Sequence, residues 1–402
     1  MKNLYILLVL LICFGCTKHI NNENNTIPSL DLTKDYPQKE INFHDIGDVE
    51  YIPLETTDES LIKCSIKLAI SDKYIVVLAN MLDRVTYFFD RKGKFLSKID
   101  KQGNGAGEYI VPHNVTIDFK NEECYVYDSK IQKIHVYSFI GKWKRELTVP
   151  KGIYWGDMYD YNPNYLIAYN RKHDFLNPEK APEDKAPYHL INKQDGKYIP
   201  LNIKVEKKVG RTLRKGRDEM GFPNIESMTF INSFISNNHD ILISDFGLDT
   251  IYSYKNNILT PIAVQYPTVH SDDVPLIIAP EIYTDQFLTF RPIRMEYIPK
   301  SINKPYWDAP YLMWNRETNE INEIIYWYDS NILDDDTNNE NKKNSLPEMH
   351  GQWNETNHIH YQLSAEQLLE LYEAGKLKGK LKEIAPKLKF DDNNVVAICK
   401  LK

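Results

Sequence analysis

Short apolar runs separated by polar turns dominate the hydrophobic pattern of this 402-residue chain. The runs are rich in Tyr, Val, Ile and Phe, and they recur in pairs joined by polar connections. Runs of this length and composition, bounded by turn residues, predict antiparallel β-strands. The first runs of successive pairs are residues 74–78, 124–127, 165–169, 241–244, 311–314 and 395–398.

The second run of each pair leads into a tight turn. These second runs are residues 85–89, 134–137, 188–191 and 251–254, and the turns place Gly93, Gly141, Gly196 and Asn257 at corresponding positions. Glycine and asparagine tolerate the positive φ that such hairpin turns require. A repeat of about 40 to 60 residues built in this way indicates a propeller. The predicted fold is therefore all-β, a six-bladed β-propeller of four-stranded antiparallel blades.

The two ends of the chain are expected to close the ring. The final repeat is short of strands, and residues 41–55 alternate in the way that would complete it. Pairing of N- and C-terminal strands would leave no open sheet edge. One short helix is predicted near the C-terminus, over residues 364–376, because Ser364 and Gln367 form a capping box and Gly375 a stop signal. We expect this helix to pack on the last blade.

A glycine-rich stretch, "GNGAG" at Gly103, interrupts the repeat. A phosphate-binding loop would open a helix directly after a strand, with its backbone amides aimed at the anion. Here Pro112 and a further strand follow instead. The stretch is therefore interpreted as a connection between two blades rather than as a phosphate site.

Several motifs resemble a known family. The segment from Gly103 to Trp143 looks like an NHL-type repeat, with a Gly-rich entry, a proline, an inner strand and the "YVYD" and "HVYS" strands. The motifs "VEYIPLETTDESLI", "FFDRKGKFLSKI", "GAGEY", "DTIYSY" and "DDNNVVAICKLK" are similar, in this order, to the six-bladed β-propeller lipoproteins of Gram-negative bacteria. The resemblance covers nearly the whole mature chain and implies the propeller fold. That family is largely without assigned activity.

The N-terminus predicts export. Residues 1–15 have a basic start and a short apolar core, which is typical of a signal peptide and too short for a permanent membrane span. Gly15 before Cys16 resembles the lipobox of bacterial lipoproteins, which implies lipidation of Cys16; an ordinary cleaved signal peptide is the alternative. Residues 16–41 are then a lipidated flexible linker, and residues 42–402 the propeller. We expect a lipid anchor in the bacterial outer membrane, on its periplasmic or outer-surface side.

Charge and cysteine content exclude some classes of protein. The formal net charge is −7, and a nucleic-acid-binding protein needs a basic surface. Three cysteines follow Cys16, namely Cys64, Cys124 and Cys399. An odd number of scattered cysteines is interpreted as isolated thiols in strands and not as a disulfide framework.

Interruptions of the repeat predict the ligand-binding face. Residues 170–188 break the third unit, and residues 207–220 concentrate cations that could hold an anionic glycan, phosphate or acidic protein; a solvated surface loop is the alternative. The candidate ligand-binding residues are Glu108, Tyr109, His113, Arg171, His173, Arg211, Arg214, Arg217, Arg291 and Arg294.

Evidence for catalysis is thin. His358 and His360 have the spacing of metal ligands on a strand, but no third ligand accompanies them, so a structural or solvent-facing pair is favoured and no metal site is predicted. Carboxylates near inner strands, Asp157, Asp160, Glu226, Glu281 and Asp285, could serve a channel metal. No cofactor and no catalytic residue is assigned.

The sequence favours a cell-envelope binding or scaffolding propeller for a glycan, peptide or partner protein. The alternative is a channel-metal-dependent propeller enzyme, such as a lactonase, lyase or glycan hydrolase.

Overall fold

A computed structural model describes residues 27–63, 67–79, 83–174, 186–210, 212–217, 220, 223–227, 232–296, 309–333 and 357–402. Within 212–217 and 223–227 it describes the backbone alone. The chain forms six antiparallel sheets arranged as a propeller ring, as the repeat predicts. Cys16 and residues 1–26 lie outside the described residues, as do Cys64 and Arg211.

Blades 1 to 3 are four-stranded. Within each blade the strands follow one another in chain order, from the axis outward. Blade 1 consists of β4 (Leu68–Ile70), β5 (Tyr74–Val77), β6 (Thr86–Asp90) and β7 (Phe95–Ile99). Blade 2 consists of β8 (Pro112–Asp118), β9 (Glu123–Asp128), β10 (Lys133–Ser138) and β11 (Trp143–Thr148). Blade 3 consists of β12 (Trp155–Asp160), β13 (Tyr165–Asn170), β14 (Tyr188–Asn192) and β15 (Tyr198–Pro200).

Blades 4 to 6 also take strands from the N-terminus. Blade 4 consists of β18 (Phe234–Asn237), β19 (Asp240–Ile243), β20 (Thr250–Lys255), β21 (Ile258–Tyr266) and β1 (Ser29–Asp31). Blade 5 consists of β22 (Leu276–Tyr283), β23 (Phe287–Arg294), β24 (Leu312–Asn315), β25 (Ile321–Tyr328) and β2 (Gln38–Asn42). In blade 6 the described strands are β26 (His358–Leu363), β27 (Val395–Leu401) and β3 (Gly47–Pro53).

The closure of the ring is as predicted. Strand β3 pairs antiparallel with the C-terminal strand β27, from Val395 opposite Pro53 to Leu401 opposite Gly47. Tyr51 and Ile52 of β3 and the first five residues of β27 are buried, so the core fixes the register. The last blade is therefore held by both ends of the chain.

The predicted linker, residues 16–41, needs a correction in its second half. Strands β1 and β2 run parallel to the outer strands of blades 4 and 5 and protect those edges. Burial of Leu30 and Ile41 explains why the segment is ordered, because these side chains join the cores of blades 4 and 5. Residues 27–53 thus pass along the rims of three consecutive blades.

The predicted C-terminal helix is present as α2 (Ala365–Glu373), after the short α1 (Phe43–Ile46). The Ser364 hydroxyl accepts a hydrogen bond from the Gln367 amide at 3.1 Å, and Gly375 has a φ of +70°. Leu368 packs in one core cluster with residues of β26 and β27, so the helix packs on the last blade as predicted. A further helix, α3 (Gly379–Ile384), follows and was not predicted.

Other local predictions can be compared directly. Gly93, Gly141, Gly196 and Asn257 all have positive φ. Cys124 and Cys399 are buried free thiols. The basic stretch 207–220 contributes β16 (Thr212–Arg217) to a two-stranded hairpin with β17 (Pro223–Ser227). No helix in the described part of the chain has the length and apolarity needed to cross a membrane.

Candidate functional site

Three inner strands carry bulges. The register of β8 shifts between Pro112 and Asn114, which leaves His113 out of the ladder. The register of β12 shifts between Trp155 and Met158, and that of β22 between Pro280 and Ile282. A bulge re-aims the side chain of the extra residue, and bulges are common next to active sites. The residues inside these register shifts are His113 in β8, Gly156 and Asp157 in β12, and Glu281 in β22.

His113 is the centre of a small polar cluster where the inner strands of blades 1 to 3 begin. Its Nδ1 lies 3.3 Å from the hydroxyl of Tyr154, and its Nε2 lies 3.5 Å from Nη1 of Arg171. Because an arginine can only donate, Nε2 accepts and the ring proton is assigned to Nδ1. Both contacts are long for hydrogen bonds. A ligand could therefore replace them at little cost.

The electrostatic field at His113 is positive. Burial lowers the pKa of His113 to about 4, and the charges of Arg171 and Lys67 contribute to the shift while Asp157 opposes it. The imidazole is consequently neutral at pH 7. We call His113, Tyr154, Asp157, Arg171 and Lys67 the mouth cluster.

Arg171 is held in place by its neighbours. The buried Asn170 ends β13, and its Oδ1 accepts hydrogen bonds from the amides of Tyr154 and Lys172, each at 3.2 Å. The Arg171 amide donates to the carbonyl oxygen of Tyr154 at 2.7 Å. A Cβ at Gly156 would lie 3.2 Å from the Arg171 Cβ, so the bulge needs a small residue there. The backbone that carries the guanidinium is thus fixed from two sides.

Aromatic rings form one wall of the mouth cluster. The rings of His113 and Tyr154 meet edge to face at 5.0 Å, and Tyr127 meets both at 6.2 and 6.0 Å. Such edge-to-face contacts add to the packing of each ring. The mouth cluster therefore offers a guanidinium beside a rigid aromatic surface, an arrangement that suits a carboxylate or phosphate group.

The structure brings two of the predicted ligand-binding residues together, His113 and Arg171. Glu108 lies elsewhere, in the glycine-rich connection, where its Oε2 accepts a hydrogen bond from Gly105 at 2.8 Å. Tyr109 needs a correction, because it is completely buried and its hydroxyl donates to the carbonyl oxygen of Arg84 at 2.5 Å. An aromatic residue after three glycines looked like an exposed contact, but it anchors the connection to the core.

The remaining predicted residues are dispersed. Arg291 pairs with Glu281 at 2.8 Å and lies over the ring of Tyr311. Arg294 is exposed, 3.9 Å from Asp272, and His173 is buried. Arg214 and Arg217 lie on β16, where the structure describes the backbone alone.

One cation of the basic stretch, Lys208, forms a buried ion pair within the protein. Nζ of Lys208 lies 2.5 Å from Oδ2 of the buried Asp245, which also accepts a hydrogen bond from the hydroxyl of Tyr188 at 2.9 Å. The ammonium also lies 5.2 Å from the ring centre of Tyr169. Lys208 thus neutralises a buried carboxylate between blades 3 and 4.

The candidate carboxylates for a channel metal have other partners. Asp160 pairs with Lys193 at 2.6 Å, Glu281 pairs with Arg291, and Asp285 accepts a hydrogen bond from Asn237 at 3.0 Å. The side chain of Glu226 is not described. Among the residues that the structure describes, no three His, Cys, Asp or Glu side chains come together in a way that could hold a metal ion. His358 and His360 are both buried in β26.

Sequence analysis missed Tyr154, Lys67 and Lys193. Tyr154 directly precedes an inner strand, as His113 lies near the start of another, and this shared position in the repeat was the available signal. Lys193 lies in a hairpin turn, where a lysine is usually exposed, so no sequence signal marks it.

Comparisons with known proteins support the fold. Residues 27–265, more than half of the chain, match the family model described as Domain of unknown function (DUF4934). No curated protein matches the chain. A protein from Bacteroides fragilis NCTC 9343, provisionally described as exported, is similar in structure with a TM-score of 0.58 and 13% identity over 94% of this chain and 100% of that chain. A member of the DUF4221 family from Bacteroides vulgatus ATCC 8482 has a TM-score of 0.47 and 11% identity over 89% and 97%.

Proposed function

The chain belongs to the DUF4934 family of domains of unknown function, and we propose that it is an exported envelope lipoprotein that binds an acidic ligand at the mouth of its propeller channel. The observation that carries the binding role is the placement of Arg171 beside a neutral His113 on a bulged inner strand. A propeller presents such a group on a rigid ring, so little conformational entropy is lost when a ligand binds.

The chemistry of the mouth cluster favours a ligand with a carboxylate or phosphate group. Two cations and one carboxylate act on His113, so the local charge is positive although the whole chain carries −7. The planar guanidinium can donate two parallel hydrogen bonds to such a group. The Tyr154 hydroxyl and the Nδ1–H group of His113 can make further hydrogen bonds to a ligand. The hydroxyl oxygen and Nδ1 lie 3.3 Å apart. A glycan that contains uronic acids, or an acidic peptide, has the required group.

Binding can be tested with defined probes. We expect trigalacturonate, a hexaglutamate peptide or inorganic phosphate to bind the full-length protein by calorimetry, with an affinity that falls as salt is added. Arg171→Gln should weaken binding about tenfold or more, because a charged hydrogen bond is lost. Arg294→Gln is the matched control, since Arg294 is an exposed arginine outside the mouth cluster. No binding of any of the three probes, or equal loss in both variants, would contradict the proposal.

The location is a separate part of the proposal. The signal at residues 1–15, the lipobox-like Gly15–Cys16 step, the NHL-like repeat and the exported description of the Bacteroides fragilis protein support it. Cys16→Ala should move the protein from the membrane fraction to the soluble fraction and abolish labelling with a fatty-acid analogue. A control variant, Cys124→Ala, should keep the label, because the Cys124 thiol is buried in β9. Labelling of Cys16→Ala at the wild-type level would show that the anchor is not there.

A further inference from the structure

A second concave site lies on the outer half of blade 2. It is a groove of about 570 Å³ between the glycine-rich connection, residues 103–108, and the face of strands β10 and β11. The side chains that line it include Glu108, Lys133, His135, Trp143 and Glu146. Its volume falls in the range of sites that hold small molecules. None of these residues belongs to the mouth cluster.

His135 is the unusual residue of this groove. Its side chain is only 2% exposed, yet neither Nδ1 nor Nε2 has a hydrogen-bond partner. A buried polar group without a partner destabilises a fold, and each case in a native protein needs an explanation. Burial lowers the pKa of His135, so the ring is neutral and offers one donor and one acceptor. Both nitrogens are buried in a side chain that lines the groove.

The charges around His135 disfavour an anion. Glu146 lies directly opposite His135 on β11, and its Oε1 pairs with Nζ of Lys133 at 2.8 Å. Glu108 adds a second carboxylate to the lining. With two carboxylates, one ammonium and a neutral imidazole, the groove has a net negative charge. It therefore selects against the acidic group that suits the mouth cluster.

Trp143 gives the groove an aromatic surface. Its side chain keeps 41% of its area exposed although the indole packs against the connection. A Cβ at Gly107 would lie 2.7 Å from Cγ of Trp143, so only glycine lets the connection approach the ring this closely. The hydroxyl of Tyr137 donates to the carbonyl oxygen of Gly107 at 2.8 Å and fixes the connection from below. The groove is therefore preformed, and its aromatic face is held in a fixed orientation.

We propose that this groove binds a neutral sugar unit, with the sugar ring stacked on Trp143 and its hydroxyls bonded to His135 and the groove carboxylates. A pyranose has an apolar C–H face for the indole and several hydroxyls that both donate and accept. Those hydroxyls match a neutral imidazole and carboxylate acceptors, which an apolar or an anionic ligand would not. The inference does not depend on anion binding at the mouth cluster.

The test uses neutral oligosaccharides and two substitutions with different mechanisms. Full-length protein is titrated with maltohexaose, mannohexaose, cellohexaose and chitotriose by calorimetry. Trp143→Ala should weaken binding about tenfold or more, because the stacking surface is lost. His135→Leu should also weaken binding, yet it should leave Tm unchanged or raise it by ~2 °C, because an unpartnered buried polar group is replaced by an apolar one.

Two controls separate the possible outcomes. Phe390→Ala removes another exposed aromatic side chain, 65% exposed, and should bind the sugars as the wild type does. Arg171→Gln should keep the sugar affinity while it loses the acidic probes, so the two sites can fail independently. The proposal is overturned if no neutral sugar binds the wild type, if Trp143→Ala binds as the wild type does, or if His135→Leu lowers Tm and leaves binding intact.

Discussion

The two ends of strands β8 and β12 carry charged and titratable residues in different arrangements. Near their first residues, His113 lies in a positive field with Arg171 at 3.5 Å. At their last residues, Asp118 and Asp160 each lie 2.6 Å from Nζ of Lys193, which is only 2% exposed. At one end a guanidinium lies beside a neutral imidazole, and at the other end an ammonium lies between two carboxylates.

The difference separates a site that can accept a ligand from one that stabilises the ring. Burial and the neighbouring charge of Asp118 raise the pKa of Asp160 to about 6, against the effect of Lys193. The carbonyl oxygen of Lys193 also accepts hydrogen bonds from Arg145, at 2.7 Å from Nη2. Lys193 therefore joins β8, β12 and β11 through contacts within the protein. In the mouth cluster the contacts of His113 are longer, Lys67 is exposed, and the other side chains are half-buried.

The largest effect is expected from Lys193→Met. Removal of the ammonium leaves two carboxylates close together and buried, and breaking such a pair costs about 3–5 kcal/mol of unfolding free energy. Urea denaturation at pH 7 measures this loss. Lys197→Met is the control in the same hairpin turn, because the Lys197 side chain is 85% exposed and pairs with Asp195 in solvent. A stability for Lys193→Met close to that of Lys197→Met would show that the buried end does not stabilise the ring.

The pH dependence of stability should report the lowered pKa of His113 in the mouth cluster. The pKa of His113 is about 4 in the folded protein and about 6.5 in the unfolded chain, so the unfolded state binds more protons between these values. Stability therefore rises with pH through this window and is lost as the pH falls from about 6.5 to 4. The shift corresponds to up to about 3 kcal/mol.

The experiment compares wild type with His113→Gln in urea at pH 7.5 and pH 4.5 (about one unit above and two below the ordinary pKa). The wild type should lose about 2–3 kcal/mol more than the variant over this range. His358 also has a lowered pKa, about 3, and contributes equally to both proteins, so only the difference is diagnostic. Parallel losses in the two proteins would mean that His113 is not desolvated as the structure indicates.

The strands of these regions could be predicted from the sequence, but the side-chain contacts at the strand ends could not. The alternation and the turn residues Gly93, Gly141 and Gly196 are local signals, and local signals fixed the repeat. The bulge at His113 depends on the register at the open end of the β8–β9 hairpin, where Pro112 lies opposite Asp128, and no residue type marks that shift. The position of Lys193 depends on two carboxylates from other hairpins. The proximity of His113 and Arg171, 58 residues apart in sequence, has the same cause.

A smaller effect is expected from Arg171→Gln. Burial is the largest cause of the lowered pKa of His113 and the Arg171 charge is the next, so removal of that charge should raise the pKa toward 6.5 without reaching it. Stability at pH 7 should change by less than about 1 kcal/mol through the loss of the contact with His113, because that contact is long. An NMR titration of the imidazole measures the pKa, with Arg294→Gln as the control. An unchanged pKa in Arg171→Gln would place the arginine away from His113 in solution.

The smallest effect is expected from Tyr154→Phe, which keeps the aromatic wall and removes one hydroxyl. The hydrogen bond between that hydroxyl and Nδ1 of His113 is 3.3 Å long and half-buried, so its loss should cost no more than about 0.5 kcal/mol.

The tautomer of His113 should respond to Tyr154→Phe more than the stability does. In the wild type, donation from Arg171 to Nε2 favours the proton on Nδ1, and the Tyr154 hydroxyl, which can donate or accept, then accepts from Nδ1. Without the hydroxyl, only the contact with Arg171 remains, and ¹⁵N shifts at neutral pH should show a mixture of tautomers. The double variant with Arg171→Gln should show the ordinary preference of a solvated histidine for the proton on Nε2. If Tyr154→Phe leaves the Nδ1-protonated form fully populated, Arg171 alone orients the imidazole, and the mouth cluster depends on one polar contact instead of two.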